Sequence, residues 1–259
     1  MEQRESLNSA EGLRKNISLD EEFIQKDLAK ISSLLEDEAI GIQRHKNPNL
    51  YIIKRTRLKM VEEYLDLIKA KYSLGGPINN LLEDYTEGLT VFETLWASME
   101  DSDFTFGKPC KPFYNSWHYW LILSYICLGI LLEVDDGIFQ KVIKIRDRVP
   151  TPDFLLDYLL SFKDGREVYQ ETIAGNQFKS LVKLLKEKGA DLAAVDFNKY
   201  LIKQWFKDYK RMGWEESHMD DYHTGYWSFE TGAIVKLLKI DDGSLKGIPY
   251  YPYDLVHWL

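Results

Sequence analysis

The densest group of reactive side chains lies between residues 215 and 223, where two histidines and four carboxylates fall within nine positions. Imidazole and carboxylate groups can bind zinc or manganese, and they can also transfer protons as general acids and bases. The group consists of Glu215, Glu216, His218, Asp220, Asp221 and His223. Its spacing contains no His-Glu-x-x-His or comparable helical pattern of the kind found in metalloenzymes. A metal or acid–base site is one interpretation, and the spacing favours the other, a loop that caps helices or contacts a partner.

A further carboxylate, Glu230, follows the string Tyr226-Trp227-Ser228-Phe229 and lies near the predicted start of a helix. A carboxylate at that position interacts favourably with the helix dipole and can accept hydrogen bonds from Tyr or Trp. The spacing favours a buried structural hydrogen bond, and a general base is the alternative. Together with the histidines and aspartates of residues 218–223, Glu230 would form the centre of a metal-dependent hydrolase, which is our alternative function.

Two Asp-Asp-Gly corners, at residues 135–137 and 241–243, each follow an apolar run. Paired aspartates can share a proton or bind a cation, but beside a glycine at a helix end they usually serve as turn and cap residues. Each run begins near a Tyr-Trp pair, Tyr119-Trp120 or Tyr226-Trp227. The sequence therefore predicts a weak internal repeat, with one buried helix in each half of the chain.

No nucleotide-binding or nucleophile motif is present: the chain lacks Gly-x-x-x-x-Gly-Lys-Ser/Thr, Gly-x-Gly-x-x-Gly and Gly-x-Ser-x-Gly. The two cysteines, Cys110 and Cys127, are too few for a disulfide scaffold and too isolated for a zinc site. We expect a protein that is not an enzyme and needs no cofactor.

The formal net charge is −8, from 33 Lys and Arg against 41 Asp and Glu, without a sustained basic run. This balance argues against direct binding of nucleic acid, which needs a basic surface, and suits a basic protein partner. Solubility alone is the alternative explanation of the charge. Two acidic loops are the candidate partner-binding residues: Asp101, Asp103, Glu215, Glu216, Asp220 and Asp221.

The most apolar stretch, Trp117 to Leu132, is shorter than the roughly 20 residues that a bilayer requires. The first 22 residues mix charges of both signs without an apolar block, unlike a secretion signal. We therefore expect a cytoplasmic protein that does not interact with a membrane.

Apolar residues recur at spacings of three and four along most of the chain, and no segment alternates apolar and polar residues. The predicted fold is all-α, a multi-helix bundle in which two helical halves pack into one compact unit. We expect a disordered N-terminus at residues 1–18, an N-terminal helical domain at residues 19–149, and a C-terminal helical domain at residues 150–259. The boundary is placed at Pro150 and Pro152, and the Trp117–Leu132 helix is expected to be the element onto which the first half packs.

The last eleven residues contain Tyr250-Tyr251-Pro252-Tyr253, which cannot continue a helix and is unsuited to full exposure. This tail is predicted to be a strap that closes the fold.

The string Gly225 to Glu230, followed by Asp241-Asp242 and by Tyr251 to Val256, resembles the C-terminal domain of the bacterial PoNe immunity (PoNi) family. The segment Ala70 to Ile78 resembles the N-terminal domain of that family, so the resemblance covers roughly residues 20 to 257 in the expected order. The positions that match the motif are Tyr226, Trp227, Glu230, Asp241, Asp242, Tyr251, Pro252, Tyr253 and Asp254. The resemblance implies an immunity protein that binds a cognate polymorphic toxin, expected to be a DNase, and neutralises it by occluding the active-site cleft.

Overall fold

The computed structural model describes residues 2–104, 115–149, 151–171, 178–210, 218 and 222–258. All regular secondary structure in these ranges is helical and no strand occurs in them, which confirms the all-α prediction. The chain divides into two compact units. The first unit comprises residues 1–103 and 218–225, and the second unit comprises residues 104–217 and 226–259.

The first unit consists of α1 (Ala10–Ala39), α2 (Asn49–Ser73) and α3 (Leu81–Ser98), with short 3₁₀ turns at Ile78–Asn80 and Asp101–Phe104. Helix α2 packs against both α1 and α3. The core between α1 and α2 is formed by apolar residues at helical spacing, namely Ile24, Ile31, Leu34, Ile53, Met60, Tyr64 and Leu67. Pro77, after Gly75 and Gly76, precedes the turn that leads into α3.

The N-terminal segment is ordered, contrary to the prediction of disorder for residues 1–18. Helix α1 already begins at Ala10, where the Ser9 hydroxyl accepts a hydrogen bond of 2.9 Å from the Gly12 N–H. The Arg4 guanidinium donates to the carbonyls of Tyr72 and Gly76, which fixes the segment to the end of α2. The sequence prediction failed because polar residues occupy several buried positions of α1 and interrupt its apolar period.

The second unit is built from eight helices within the described residues: α4 (Ser116–Leu131), α5 (Asp136–Asp147), α6 (Phe154–Asp164), α7 (Lys179–Lys188), α8 (Ala194–Tyr200), α9 (Phe206–Lys210), α10 (Phe229–Leu238) and α11 (Tyr253–Val256). A π-helical turn, Leu201–Trp205, joins α8 to α9, and 3₁₀ turns occupy Gly189–Asp191 and Gly243–Leu245. Helix α4 is central and packs against α5, α6 and α10.

The position of α4 corrects a sequence prediction. We expected this helix to be the centre of the N-terminal half, onto which the preceding helices pack, but it belongs to the second unit. Because α4 is apolar almost all round, its sequence carries no polar stripe that would indicate where its partners lie.

The stretch around Pro150 lies inside the second unit, although the sequence places a domain boundary there. The Arg146 guanidinium donates hydrogen bonds to the carbonyls of Val149 and Thr151, at 3.1 and 2.8 Å, and to Asp157 at 2.9 Å. Pro150 itself lies outside the described residues. These bonds connect α5, the following segment and α6.

Helices α4 and α10 end in the same backbone turn. Glu133 and Lys239 both adopt left-handed conformations, with φ of 50° and 53°. The next residues, Val134 and Ile240, each donate their N–H to the carbonyl five residues earlier, in both cases at 3.2 Å. This pattern is a Schellman ending, so the repeated corner has a common local geometry.

Candidate partner-binding surface

Asp101 and Asp103, two of the six candidate residues, lie in the 3₁₀ turn that follows α3. Asp103 is partly committed to the fold, because its Oδ2 accepts hydrogen bonds from Lys54 Nζ at 2.9 Å and from the Glu100 N–H at 2.8 Å. Asp101 is exposed. In this turn the Asp101 carboxylate is therefore exposed, and the Asp103 carboxylate stabilises the turn.

The remaining four candidates, Glu215, Glu216, Asp220 and Asp221, lie outside the described residues. Their role as a partner-binding loop stays a prediction.

Negative charge is concentrated in the first unit. Its residues include 22 Asp and Glu against 13 Lys and Arg, a net −9, whereas the second unit has 19 against 20, a net +1. The stretch from residue 72 to residue 107 contains seven carboxylates and no Lys, Arg or His. Helix α3 lies in this stretch and exposes Glu83 and Glu87. The first unit therefore has a negative electrostatic potential around it.

Glu230, the acidic residue of the family-like motif, is buried inside the second unit at the start of α10. Its Oε1 accepts hydrogen bonds of 2.6 Å from both the Trp205 indole and the Ser228 hydroxyl. Burial raises the pKa of Glu230 to about 7, against the lowering effect of these hydrogen bonds. The geometry is that of a structural carboxylate whose donors come from within its own unit.

Aromatic rings surround Glu230, and they include Tyr and Trp residues of the motif and of the tail. Tyr250 stacks on Trp205 with centroids 4.5 Å apart, and Trp205 stacks on Tyr209 at 5.0 Å. Tyr226 meets Phe206 edge-on at 5.3 Å. The cluster joins the π-helical turn, α9, the start of the motif and the tail within the second unit.

The tail after Pro249 packs onto α10. Tyr251 donates its hydroxyl proton to Asp242 Oδ2 at 2.5 Å, and His257 Nε2 lies 2.8 Å from Asp242 Oδ1. Gly232 permits this packing, since a Cβ at that position would come 2.6 Å from Cγ of Pro252. Within the motif, Asp242, Tyr251 and Pro252 are buried, Trp227 and Tyr253 are partly buried, and Asp241 and Asp254 are exposed. The tail also forms the short helix α11, which the sequence did not predict.

Of the residues of the alternative hydrolase centre, the structure brings together His218 and His223, whose ring centroids are 6.2 Å apart. The carbonyl of His223, a buried residue, accepts from the side-chain amides of Asn8 and Asn16, at 2.7 and 2.9 Å. Glu230 belongs to the second unit and accepts from donors there, while Asp220 and Asp221 lie outside the described residues. Among the residues that the structure describes, no three His, Cys, Asp or Glu side chains are grouped so that they could hold a metal ion.

Sequence analysis missed that residues 222–225 are held in the first unit by buried polar groups. The Tyr222 hydroxyl donates to Asp20 of α1, and the Ser73 hydroxyl donates to the Thr224 carbonyl at 2.7 Å. Burial raises the pKa of Asp20 to about 7. The one signal in the sequence is the presence of Asn16 and Asp20 on an otherwise apolar face of α1.

Two family models match the chain. The model described as "PoNe immunity protein (PoNi), N-terminal" matches residues 4–144, and the model described as "PoNe immunity proteins (PoNi), C-terminal" matches residues 151–255. The resemblance drawn from residues 70–78 and 225–256 is thereby confirmed.

Comparison with solved structures gives a fold match to protein PA2201 from Pseudomonas aeruginosa, with 18% sequence identity and a TM-score of 0.65 over 99% of this chain and 98% of that one. A search of curated proteins finds no match. In the described ranges, no helix combines the length and the hydropathy needed to cross a membrane.

Proposed function

The chain belongs to the PoNe immunity protein family, and on this premise we propose that it binds a cognate toxin with DNase activity and blocks the cleft in which the toxin holds DNA. The observation that carries the proposal is the concentration of net charge, −9, in the first unit. A cleft that holds DNA must be basic, because it neutralises phosphates with Lys and Arg. An acidic protein surface is complementary to such a cleft.

The proposed mechanism needs no chemistry from this protein. Complementary charges accelerate the encounter, and a few buried anchors then slow dissociation. Glu230 has a structural role in this account, as do His218 and His223. Protection of the host's own DNA requires the protein in the compartment that contains it, so we propose a cytoplasmic location.

A nuclease titration tests the proposal. The toxin domain encoded beside the gene for this chain is purified, and cleavage of a linear duplex is followed while the protein is added. Activity is expected to fall linearly to the background at one equivalent. Undiminished cleavage at a large excess would refute the proposal.

Charge reversal tests the two acidic loops. Lysine at Asp101, Asp103, Glu215, Glu216, Asp220 and Asp221 is expected to slow association with the toxin at low salt, with a smaller loss at high salt, because ions screen the attraction. The matched control is reversal of Asp241 and Asp254, which are exposed in the second unit. An unchanged association rate at low salt would place the interface outside these loops.

Metal analysis tests the non-enzymatic role. Stoichiometric zinc or manganese in the purified protein, lost together with a hydrolytic activity on substitution of His218 and His223, would favour the metal-dependent hydrolase instead.

A further inference from the structure

A groove of the first unit runs between α1 and α2, with a volume of about 620 Å³. We call it the α1–α2 groove and define it by Asp27, Lys30, Tyr51, Arg55, Lys59 and Glu62. It adjoins the outer side of α1, a 30-residue helix whose main packing partner is α2.

Large apolar side chains are exposed along this part of the molecule. Tyr51 is 53% exposed, and Phe23, whose ring lies under Lys59 Nζ at 4.9 Å, is 38% exposed. Aromatic side chains of this kind are typical anchors of protein interfaces, in which a few large residues carry most of the binding free energy.

The charges of the groove have a definite pattern. Lys59 is neutralised by Asp27, at 3.0 Å, and by Glu63. Lys30 and Arg55 are exposed, and neither lies within ion-pair distance of a carboxylate in the part of the chain that the structure describes. Helix α1 exposes five carboxylates, Glu11, Glu21, Glu22, Glu36 and Glu38, against four Lys and Arg. Two exposed cations thus lie in the groove together with the carboxylates of Asp27 and Glu62.

A nuclease cleft has the opposite pattern. Metal ions that activate water or stabilise a leaving oxygen in phosphodiester cleavage are held by carboxylates, which places negative charge at the centre of the cleft. Lys and Arg around that centre bind the phosphates of the DNA. Lys30 and Arg55 are therefore complementary in charge to the carboxylates of such a cleft, and the exposed carboxylates of α1 are complementary to its Lys and Arg.

We propose that the α1–α2 groove and the outer face of α1 form the surface on which the toxin docks, an inference that rests on the proposed function. Tyr51 and Phe23 supply the apolar anchors. Lys30 and Arg55 meet the carboxylates at the centre of the toxin's cleft, and the carboxylates of α1 meet its basic rim.

Paired variants test the proposal by binding to a catalytically inactive form of the toxin domain encoded beside this gene, measured by biolayer interferometry. Tyr51→Ala is expected to weaken affinity at least about tenfold, and the double reversal Lys30→Glu, Arg55→Glu by about a hundredfold. The matched controls are Ile202→Ala, at a residue 58% exposed in the second unit, and the double reversal Lys199→Glu, Lys203→Glu. Both controls are expected to bind within about twofold of the parent protein.

The melting temperature of each variant shows whether it is folded, and the exposure of all the substituted residues makes retention of the fold the expected result. Parent-like binding by the groove variants, or an equal loss in the controls, would overturn the docking surface and leave the proposed function intact. Failure of the parent protein to bind the toxin domain would instead remove the proposed function and this inference with it.

Discussion

The two units differ in where their distinctive residues lie. The first unit has a net charge of −9 and contains eight of the twelve large hydrophobic side chains that are exposed among the described residues, although it is the smaller unit. The second unit is nearly neutral and contains the other four. In the second unit the family-matching residues Tyr226, Glu230, Asp242 and Tyr251 are buried.

This difference suggests a division of roles: the residues by which the family is identified lie in the second unit, and the residues that we propose to contact the toxin lie in the first. A buried motif changes slowly because its donors, acceptors and rings must fit one another. A binding surface needs only suitable charge and a few anchors, and it has no fixed spacing. We infer that the motif marks the scaffold and that the partner surface is carried by the composition of the first unit.

The largest expected effect is loss of the tail. Removal of residues 249–259 exposes the sites filled by Tyr251 and Leu255, each worth roughly 1.5 to 3 kcal/mol, and removes the partner of Asp242. We expect the truncated protein to lose its cooperative thermal transition, followed by circular dichroism. A parent-like melt would show that the tail is not part of the scaffold.

A point variant tests the same contact in the full-length chain. Gly232→Ala would place a Cβ 2.6 Å from Pro252 Cγ, so the tail must shift. We expect a cost of about 1 to 3 kcal/mol in the free energy of unfolding, measured with urea. An unchanged free energy would show that the tail does not press on α10 at this position.

Loss of the buried ion pair of the second unit is expected to cost more than Gly232→Ala and less than loss of the whole tail. Arg146 and Asp157 are each at least 97% buried, and Arg146→Ala leaves the carboxylate and two carbonyls without their main donor. We expect a loss of about 3 to 5 kcal/mol in the free energy of unfolding, measured with urea. Arg55→Ala in the first unit is the matched control, with an expected change within about 0.5 kcal/mol. Equal losses in Arg146→Ala and Arg55→Ala would contradict the distinction between the buried scaffold of the second unit and the exposed surface of the first.

The smallest effect concerns pH. Burial raises the pKa of Glu230 to about 7, so between about pH 4.5 and 7 the folded state binds more protons than the unfolded state. This group therefore makes the free energy of unfolding fall as pH rises through that window, by on the order of 1 kcal/mol per pH unit. Glu230→Gln mimics the protonated acid and is expected to flatten the profile measured between pH 5 and 8.

Asp20 provides the counterpart in the first unit, because burial raises its pKa to about 7 too. Asp20→Asn should flatten the same window by a similar amount, and the two variants together more than either alone. A profile that stays as steep in the double variant would contradict the assignment of these two carboxyl groups.

The helices could be predicted from the sequence wherever apolar residues recur at spacings of three and four, as in α3. The prediction failed where polar side chains are buried: Asn16 and Asp20 lie inside the first unit because residues 222–225, more than 200 positions away, supply their partners. No local pattern contains that information.

The two Asp-Asp-Gly corners show a second limit of prediction from the sequence. The Asp-Asp-Gly strings predict that α4 and α10 end, but the left-handed residues are Glu133 and Lys239 rather than the glycines. Asp135 then caps α5 by accepting from the Ile138 N–H at 3.0 Å, whereas Asp241 only accepts from the Gly243 N–H at 3.3 Å. The same Asp-Asp-Gly string precedes helix α5 in one place and the 3₁₀ turn Gly243–Leu245 in the other. Tertiary packing therefore determines which element forms after each corner.

For the candidate surface, the sequence predicted an acidic loop at Asp101 and Asp103, where the structure has a 3₁₀ turn, and its role in binding stays a prediction. It could not predict that the charge belongs to one unit, since residues 218–225 join the first unit from more than 100 positions further along the chain. The exposure of Tyr51 and Phe23 could not be predicted from the sequence either, because an apolar residue on a helix is normally expected in the core.

Competition with DNA tests the central claim most directly. A labelled duplex is bound to the catalytically inactive toxin domain, and its fluorescence anisotropy is followed while this protein is added. If the protein occupies the DNA-binding cleft, the anisotropy falls to that of free duplex at one equivalent, and the Lys30→Glu, Arg55→Glu variant requires a much larger excess. A ternary complex, in which the protein binds the toxin while the anisotropy stays high, would contradict the account.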